Sequence, residues 1–549
     1  VSDPAPSHDY DAVVIGSGFG GSASALRLVE KGYRVLVIEK GPELGPAEFP
    51  KSNWNLRRWL WMPRLGWRGL FQMTFFRHVT VLSGVGVGGG SLVYASTHPV
   101  PSDKFFSSPA WSHLADWKAE LAPHYDTARR MLGVARVPLL TAPDRALKAI
   151  AAERGQPEAF RNTDVAIHFG TPGQTVPDPY FSGEGPPRTG CNYCGGCMLG
   201  CQHGAKNTLD KNYLWLARRR GMELWADTEV RAIRPLDGGS GATGYRIEVK
   251  RGRFPWRRNA AVTAARVVVA AGVLGTMDLL LRMKADPRGL PRLSDRLGHG
   301  IRTNSEALLG VISERRDQDL SKGVAIGSIL ETDENSHLEP VRYPAGSGFF
   351  RLLMAPHVAG ERAVVRVFRA IGTVLRHPRR TWRALTVPDL SKYTAILLFM
   401  QTVDGTLRLR RGRFGGLATA PDAGKLPVAN IPEASALAAA MGEKLDGMAF
   451  GMVTDSLLNI PTTAHILGGA CMGSSSDDGV IDKDHRVFHY EGLYVVDGAA
   501  VTANVGVNPS LTILALAERA MSKIPMNPAA AAPPVPLPPG ARAALAAAE

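Results

Sequence analysis

The sequence predicts an α/β protein in which a discontinuous, doubly wound domain carries a second domain of sheet and helix. Three observations predict it. A glycine-rich turn joins a strand to a helix within the first thirty residues. Further strand–turn–helix units recur at Ala265–Arg282 and Gly492–Met521. Strand-like segments of a different kind lie between them. With 549 residues, 45% hydrophobic and 21% charged, the chain can bury a large core. Its 59 Gly and 39 Pro are not periodic, which excludes collagen-like and wholly disordered readings. No apolar run reaches the roughly 18 residues that span a bilayer; the best, Tyr393–Met400, reads as a strand or core segment. The start has no basic region followed by an apolar one, so no signal peptide is read and the expected location is cytoplasmic. The net charge of +14 suits a membrane surface or an acidic partner. No zinc-finger or RNP pattern accompanies it, so nucleic acid is not an expected partner.

The first unit is "DYDAVVIGSGFGGSASALRLVEKGYRVLVIEKG". Ala12–Ile15 reads as a buried strand, Ser22–Lys31 as a helix, and Arg34–Ile38 as a second strand ending on Glu39. Gly16 permits the tight turn, Gly18 lets a pyrophosphate approach the backbone, and Gly21 allows close packing of helix on strand. The helix N-terminus offers unpaired N–H groups to phosphate, and Glu39 is placed for ribose hydroxyls. The acid favours FAD or NAD over NADP without choosing between them. A second glycine-rich stretch, "SGVGVGGGSLVYAS" (Ser83–Ser96), suits neither regular helix nor strand. "ARVVVAAGVLGTMDLLLR" runs from strand to helix through Gly272 and Gly275. "GLYVVDGAAVTANVGVNPSLTILALAERAM" gives a strand, an Asp at its tip, a glycine turn and a long helix.

Together with "HILGGACMG", these motifs resemble the glucose–methanol–choline (GMC) flavoproteins, and within them the cholesterol oxidase branch. The resemblance implies a noncovalent FAD in a Rossmann-type domain. Its pyrophosphate would lie over Gly16, Gly18, Phe19 and Gly21, and its ribose would meet Glu39. The loop of Gly84, Gly86, Gly89, Gly90 and Ser91 would face the flavin. The Val230 backbone would meet the adenine, with Ala271 and Gly272 in the third motif. Asp497 and Gly498 would meet the ribityl and pyrophosphate region, with Asn508 and Pro509 beside the flavin. Where this branch usually has Asn after "GGGSLV", the chain has Tyr94. The scattered motifs place the FAD domain at 1–100, 205–305 and 460–526. The pieces 101–204 and 306–459 are expected to form a substrate-binding cap with a mixed sheet. Residues 527–549, rich in Ala and Pro, read as a flexible tail.

By the same resemblance His465 and Asn508 are the catalytic pair. Oxidising an alcohol requires the hydroxyl proton to leave as hydride passes to flavin N5. A neutral imidazole titrates in the right range to take that proton, and an amide can hydrogen-bond the oxygen. Sterol oxidases of this type also move a double bond with a carboxylate. The corresponding stretch has no acid between Pro344 and Phe350, Glu306 is a substitute candidate that reads better as a solvated or salt-bridged acid, and isomerisation is not expected.

Cys191, Cys194, Cys197 and Cys201 have the C-x2-C-x2-C-x3-C spacing of ferredoxin cluster ligands. The expectation is a [4Fe–4S] or [3Fe–4S] cluster, with zinc or plain thiols as alternatives. A cluster would let electrons leave singly to a quinone, cytochrome or soluble carrier. Two segments combine apolar and basic residues, Asn53–His78 with four Trp and Glu361–Leu385 with seven Arg. Both resemble lipid-facing segments, which would make the protein peripheral at the inner membrane face; the second reads equally as an ordinary amphipathic helix on the core with a solvated basic face. The reading is therefore FAD-dependent oxidation of a hydrophobic, sterol-like secondary alcohol to a ketone, with electrons leaving through the cluster. The alternatives are a simple O2-using oxidase without a cluster, and a non-redox lyase or redox sensor that keeps FAD as scaffold.

Overall fold

A computed structural model describes residues 8–358, 360, 363–413 and 415–530. The Ala/Pro-rich residues 531–549, expected as a tail, lie outside the described residues. The first sheet starts from Tyr10–Ile15, whose inner residues are wholly buried because parallel strands are covered on both faces. It pairs in parallel with Val35–Ile38 on one side and Arg258–Val269 on the other. Glu223–Trp225 extends one edge, and Leu493–Val495 runs parallel to the end of Arg258–Val269. Thr228–Pro235 and Tyr245–Arg251 complete the sheet antiparallel. The sheet thus draws on residues 10–38, 223–269 and 493–495, as the separated motifs imply.

The helix Phe19–Glu30 follows the first strand directly and is buried along most of its length. A Cβ at Gly21 would stand 2.0 Å from the Gly16 carbonyl oxygen, so only glycine lets this helix come so close to the turn. The helix packs against Ser510–Ser522, which also packs against Trp117–Leu132. Trp117, Leu121 and Tyr125 belong to the core of the first sheet. The early part of 101–204, expected in the cap, therefore sits on the dinucleotide-type layer. Its apolar helix face had no way of signalling which core it would join.

The second sheet has seven strands in the order Met354–Pro356, Gly447–Met452, Ala307–Ser313, Thr394–Gln401, Ser336–Val341, Ser328–Glu331 and Phe160–Asn162. It is antiparallel at every pairing, where the sequence reading expected a mixed sheet. Alternation along Thr394–Gln401 sends Ala395, Leu397 and Phe399 to the helices Ala142–Glu153 and Pro432–Leu445 behind the sheet. Ile396 and Leu398 point the other way, into a cavity between the two sheets. The strand Thr406–Arg411, also expected in the cap, pairs instead with Ile301–Arg302 and Leu417–Pro421, and its Leu407 and Leu409 join the first core. Among the described residues no helix is long and apolar enough to cross a membrane.

Candidate active site

One cavity of about 720 Å³ runs from the glycine turn of the first sheet to the inner face of the second. It is lined by Gly16, Gly18, Phe19, Glu39, Gly84, Gly89, Gly90, Val230, Ala271, Gly272, Asp497, Gly498, Asn508, Pro509 and His465. Three of the glycine-motif candidates stay behind its wall. Gly21 serves helix–strand packing. At Gly86, φ is +132° and a Cβ would press on Leu92 and the Pro42 carbonyl. The Ser91 hydroxyl donates to the Gly88 carbonyl (2.7 Å) and accepts from the Leu209 amide (3.1 Å), which fixes the loop from within.

The residues fit a bound dinucleotide. At Gly272 (φ +72°) an added Cβ would meet nothing within 4 Å, and at Gly18 only the Gly89 Cα at 3.9 Å. Side chains at either position would project into the cleft that a pyrophosphate needs. Glu39 is held in place: its Oε2 accepts from the Ser17 amide (3.1 Å) and hydroxyl (2.8 Å), and its Oε1 from the Gly41 amide (2.8 Å). Asp497 is buried at the opposite wall and accepts from Thr276 Oγ1 at 2.5 Å. Burial raises its carboxyl to about 6. Tyr94, the departure from the branch pattern, stands edge-on to Phe19 with ring centroids 5.3 Å apart. The buried Lys206 ammonium lies 4.6 Å from the Tyr94 ring centroid and donates to the carbonyls of Cys197 (2.7 Å) and Leu92 (3.2 Å).

His465 and Asn508 come together although 43 residues separate them in sequence. Asn304, at φ +60°, ties one side of this junction: its Oδ1 accepts from the Gly506 amide and its Nδ2 donates to the Val507 carbonyl. Two buried carboxylates stand behind the pair. Glu306 Oε2 lies 3.0 Å from His465 Nδ1, and its Oε1 accepts from the Ala464 amide at 2.9 Å. Glu306 is therefore the salt-bridged acid of the sequence reading, and its partner is His465, the histidine that the resemblance singled out. Asn508 Nδ2 donates to Glu339 Oε2 at 3.3 Å. Asn508 Oδ1 and Glu339 Oε1 are buried without a hydrogen-bond partner among the described residues, although His337 Nε2 lies 3.8 Å from Glu339 Oε1.

These contacts set the protonation states. Burial disfavours the His465 imidazolium, but the Glu306 carboxylate outweighs it and the pKa is raised. Glu306 as acceptor fixes the proton on Nδ1 and leaves Nε2 as the free base. Burial pushes Glu339 up to about 8, so it stands as a neutral acid at neutral pH. Sequence reasoning missed Glu339. Its only signal is an acid at a core position of the strand "SHLEPV".

A consequence concerns pH. His465 takes a proton only when neutral, so the rate rises with pH through its pKa. Glu306→Gln removes the charge that raises that pKa. We expect the acid limb of the pH–rate profile to move to lower pH, with the plateau about tenfold or more lower because the tautomer is no longer imposed. A profile identical to the parent's would remove Glu306 from this role.

The four clustered cysteines do not fit a metal or iron–sulfur site. Among the described residues no group of three or more His, Cys, Asp or Glu is placed to hold a metal ion. Cys191, Cys197 and Cys201 pack instead with Val165, Ile167 and Val324 in a small apolar core. Burial pushes the Cys191 and Cys197 thiols up to about 12, so both stand as neutral thiols in this core. Cys191 Sγ accepts from the Tyr193 amide and Cys197 Sγ from the Ala325 amide, each at 3.4 Å. Ligand spacing on a tight turn is the same whether the sulfurs converge on a metal or fill a core, and the packing of Cys191, Cys197 and Cys201 is that of a core.

The glycine-lined cleft, the facing histidine and asparagine, and the antiparallel cap sheet define a flavoprotein-type alcohol oxidoreductase site. The chain belongs to the GMC oxidoreductase family: it matches the N-terminal GMC oxidoreductase domain over residues 10–285 and the C-terminal domain over residues 428–517. FAD is the cofactor of that family, and the cleft described above fits it. The chain is 43% identical over 534 residues to a cholesterol oxidase of Acinetobacter baumannii, covering 94% of this chain and 95% of the relative. It is 45% identical over 532 residues to a cholesterol oxidase of Mycobacterium tuberculosis, covering 94% and 91%. Its fold is similar to pyridoxine 4-oxidase from Mesorbium loti, with a TM-score of 0.61 at 16% identity, over 93% of this chain and 98% of the other.

Proposed function

We propose that this enzyme oxidises a hydrophobic, sterol-like secondary alcohol to a ketone. The observation that carries the reading is the cavity wall built by residues 306–459. It includes Leu308, Val341, Ile396, Leu398, Phe450 and Met452 and no charged side chain. Its polar side chains are the hydroxyls of Tyr343, Ser347, Ser391 and Thr394, and a ring system buries its apolar area against the rest at about 25 cal/mol per Å². The relatives named above support the sterol-like class.

Bound FAD would supply the hydride acceptor. His465 Nε2 takes the hydroxyl proton, Glu306 stabilises the imidazolium that results, and the Asn508 amide, steadied by Glu339, orients the alcohol oxygen. Reoxidation by O2 is the reading we adopt in place of an iron–sulfur path, because the relatives are oxidases and the cysteines do not form a cluster site.

Anaerobic addition of a panel of alcohols is expected to bleach the flavin band with sterols and other hydrophobic secondary alcohols, and not with small polyols. In air, peroxide should form at the same rate in Cys194→Ser as in the parent. Fully flavin-loaded protein that no alcohol bleaches would overturn the oxidation in favour of a non-redox role. Slow peroxide formation beside fast reduction of one-electron dyes would overturn O2 as acceptor.

A further inference from the structure

The helix Ala363–Arg376 is turned inside out. At roughly 100° per residue, Val364, Val367, Phe368, Ile371, Val374 and Leu375 form one stripe along it. A helix packed on a core points such a stripe inward. Here all six are exposed, with Phe368 at 69% and Leu375 at 74%. The opposite face holds Arg366 and Ala370, both buried. The Arg366 guanidinium donates to the carbonyls of Gly360 (2.6 Å) and Leu457 (3.1 Å), so the basic side chain anchors the helix to the protein. The next helix, Pro378–Leu385, buries Thr381 and Ala384 and leaves Trp382 69% exposed. Arg376, Arg379 and Arg383 are exposed beside these apolar groups. No salt bridge involves those three among the described residues.

The ridge borders the cavity. Ala363–Arg376 packs on the strand Met354–Pro356, and Met354 lines the cavity. The preceding turn leaves Leu352 66% exposed. The nearby exposed Trp54 stands edge-on to Phe349, with ring centroids 6.2 Å apart. The tryptophan-rich segment contributes less than its sequence suggested. Trp59 is fully buried, stacked on Phe71 at 4.9 Å, because its neighbours form a core of their own.

We propose that this helix pair docks on an anionic phospholipid bilayer. The apolar stripe sinks to the boundary between headgroups and acyl chains, and the arginines meet lipid phosphates. An acidic protein would match the arginines but leave four turns of apolar side chains against a charged surface. A second copy would bring arginines against arginines in a chain of net charge +14. A lipid surface satisfies both groups at once, and the cavity then opens beside the phase that holds an apolar substrate. Only that last point rests on the proposed function.

The test uses full-length, flavin-loaded protein and vesicles containing no sterol or alcohol. Co-sedimentation is expected with phosphatidylcholine–phosphatidylglycerol vesicles, about tenfold or more weaker with phosphatidylcholine alone, and weaker again as salt rises from about 0.1 M to about 1 M. The variant Phe368→Ser/Ile371→Ser/Leu375→Ser changes only outward-facing side chains. It should bind anionic vesicles about tenfold or more weakly. Its flavin content and its oxidation of a detergent-dispersed alcohol should be unchanged. Undiminished binding by the triple variant would overturn the dock, as would no binding by the parent. Self-association of the parent that the variant abolishes, without vesicle binding, would assign the stripe to a copy–copy interface and also overturn it. Vesicle binding without any alcohol turnover would overturn the proposed function and leave the dock standing.

Discussion

Replacing His465 by Ala is expected to slow anaerobic flavin reduction by about 10²–10⁴-fold while the flavin stays bound. The imidazole is the basic side chain at the junction between the glycine cleft and the apolar wall, and Glu306 holds it in the tautomer that leaves Nε2 free. FAD should be retained because the groups placed for its phosphates and ribose, the Gly16–Gly21 turn, Glu39 and Asp497, stand at other walls of the cavity. Asn508→Ala should fall in the same range on the proposed mechanism, since it removes the amide proposed to orient the alcohol oxygen and strands the Glu339 carboxyl behind it. Stopped-flow reduction with visible absorbance separates the outcomes. Flavin content that falls in step with the rate would make either residue structural, and an unchanged rate would remove it from the chemistry.

Asp144→Ala is expected to destabilise the protein by about 3–5 kcal/mol, measured by denaturant unfolding. The carboxylate is wholly buried and lies 3.0 Å from the Arg342 guanidinium, itself 1% exposed. It also accepts from Ser328 Oγ at 2.7 Å and from the Thr141 amide at 2.9 Å, so one side chain caps the helix Ala142–Glu153 and ties it to two other segments. Without it Arg342 is a buried charge with no counter-ion. Burial alone would raise the Asp144 pKa, but Arg342 and the hydrogen bonds win and the carboxyl is held below its ordinary range. A depressed carboxylate contributes stability above its unfolded pKa and loses it as pH falls through its folded pKa. The parent should therefore lose stability in acid more steeply than Asp144→Ala, and the gap between them should narrow there. A gap that stays constant down to low pH would contradict the pairing.

How legible the site was depended on the range of the interactions that build it. The glycine turn, Glu39 and the strand–helix order were readable because local geometry sets them. A strand, a φ of +101° at Gly16 and a helix leave few residue choices. His465 and Asn508 were readable only through the resemblance, since neither spacing nor periodicity brings positions 43 residues apart to one point. Glu306 was noticed as a salt-bridged acid but its partner, His465, was not foreseen, and Glu339 was passed over. A buried acid in a strand looks the same in sequence whether it faces a solvent gap or an amide across the sheet.

The sequence by itself determined the first domain's βαβ start, which follows from nearest-neighbour sterics and the two-residue and 3.6-residue periods, while FAD and the spread of its motifs over one domain were read from the resemblance. Only the tertiary structure decided the rest. Cys191, Cys197 and Cys201 went into an apolar core, where burial pushes the Cys191 and Cys197 thiols up. Trp59 went inside, while Phe368 and Leu375 stayed outside on a helix whose arginine is the buried anchor. Amphipathicity states that a helix has two faces. Which face meets protein is settled by the carbonyls and side chains that wait on the other side, here the Gly360 and Leu457 oxygens that satisfy the Arg366 guanidinium.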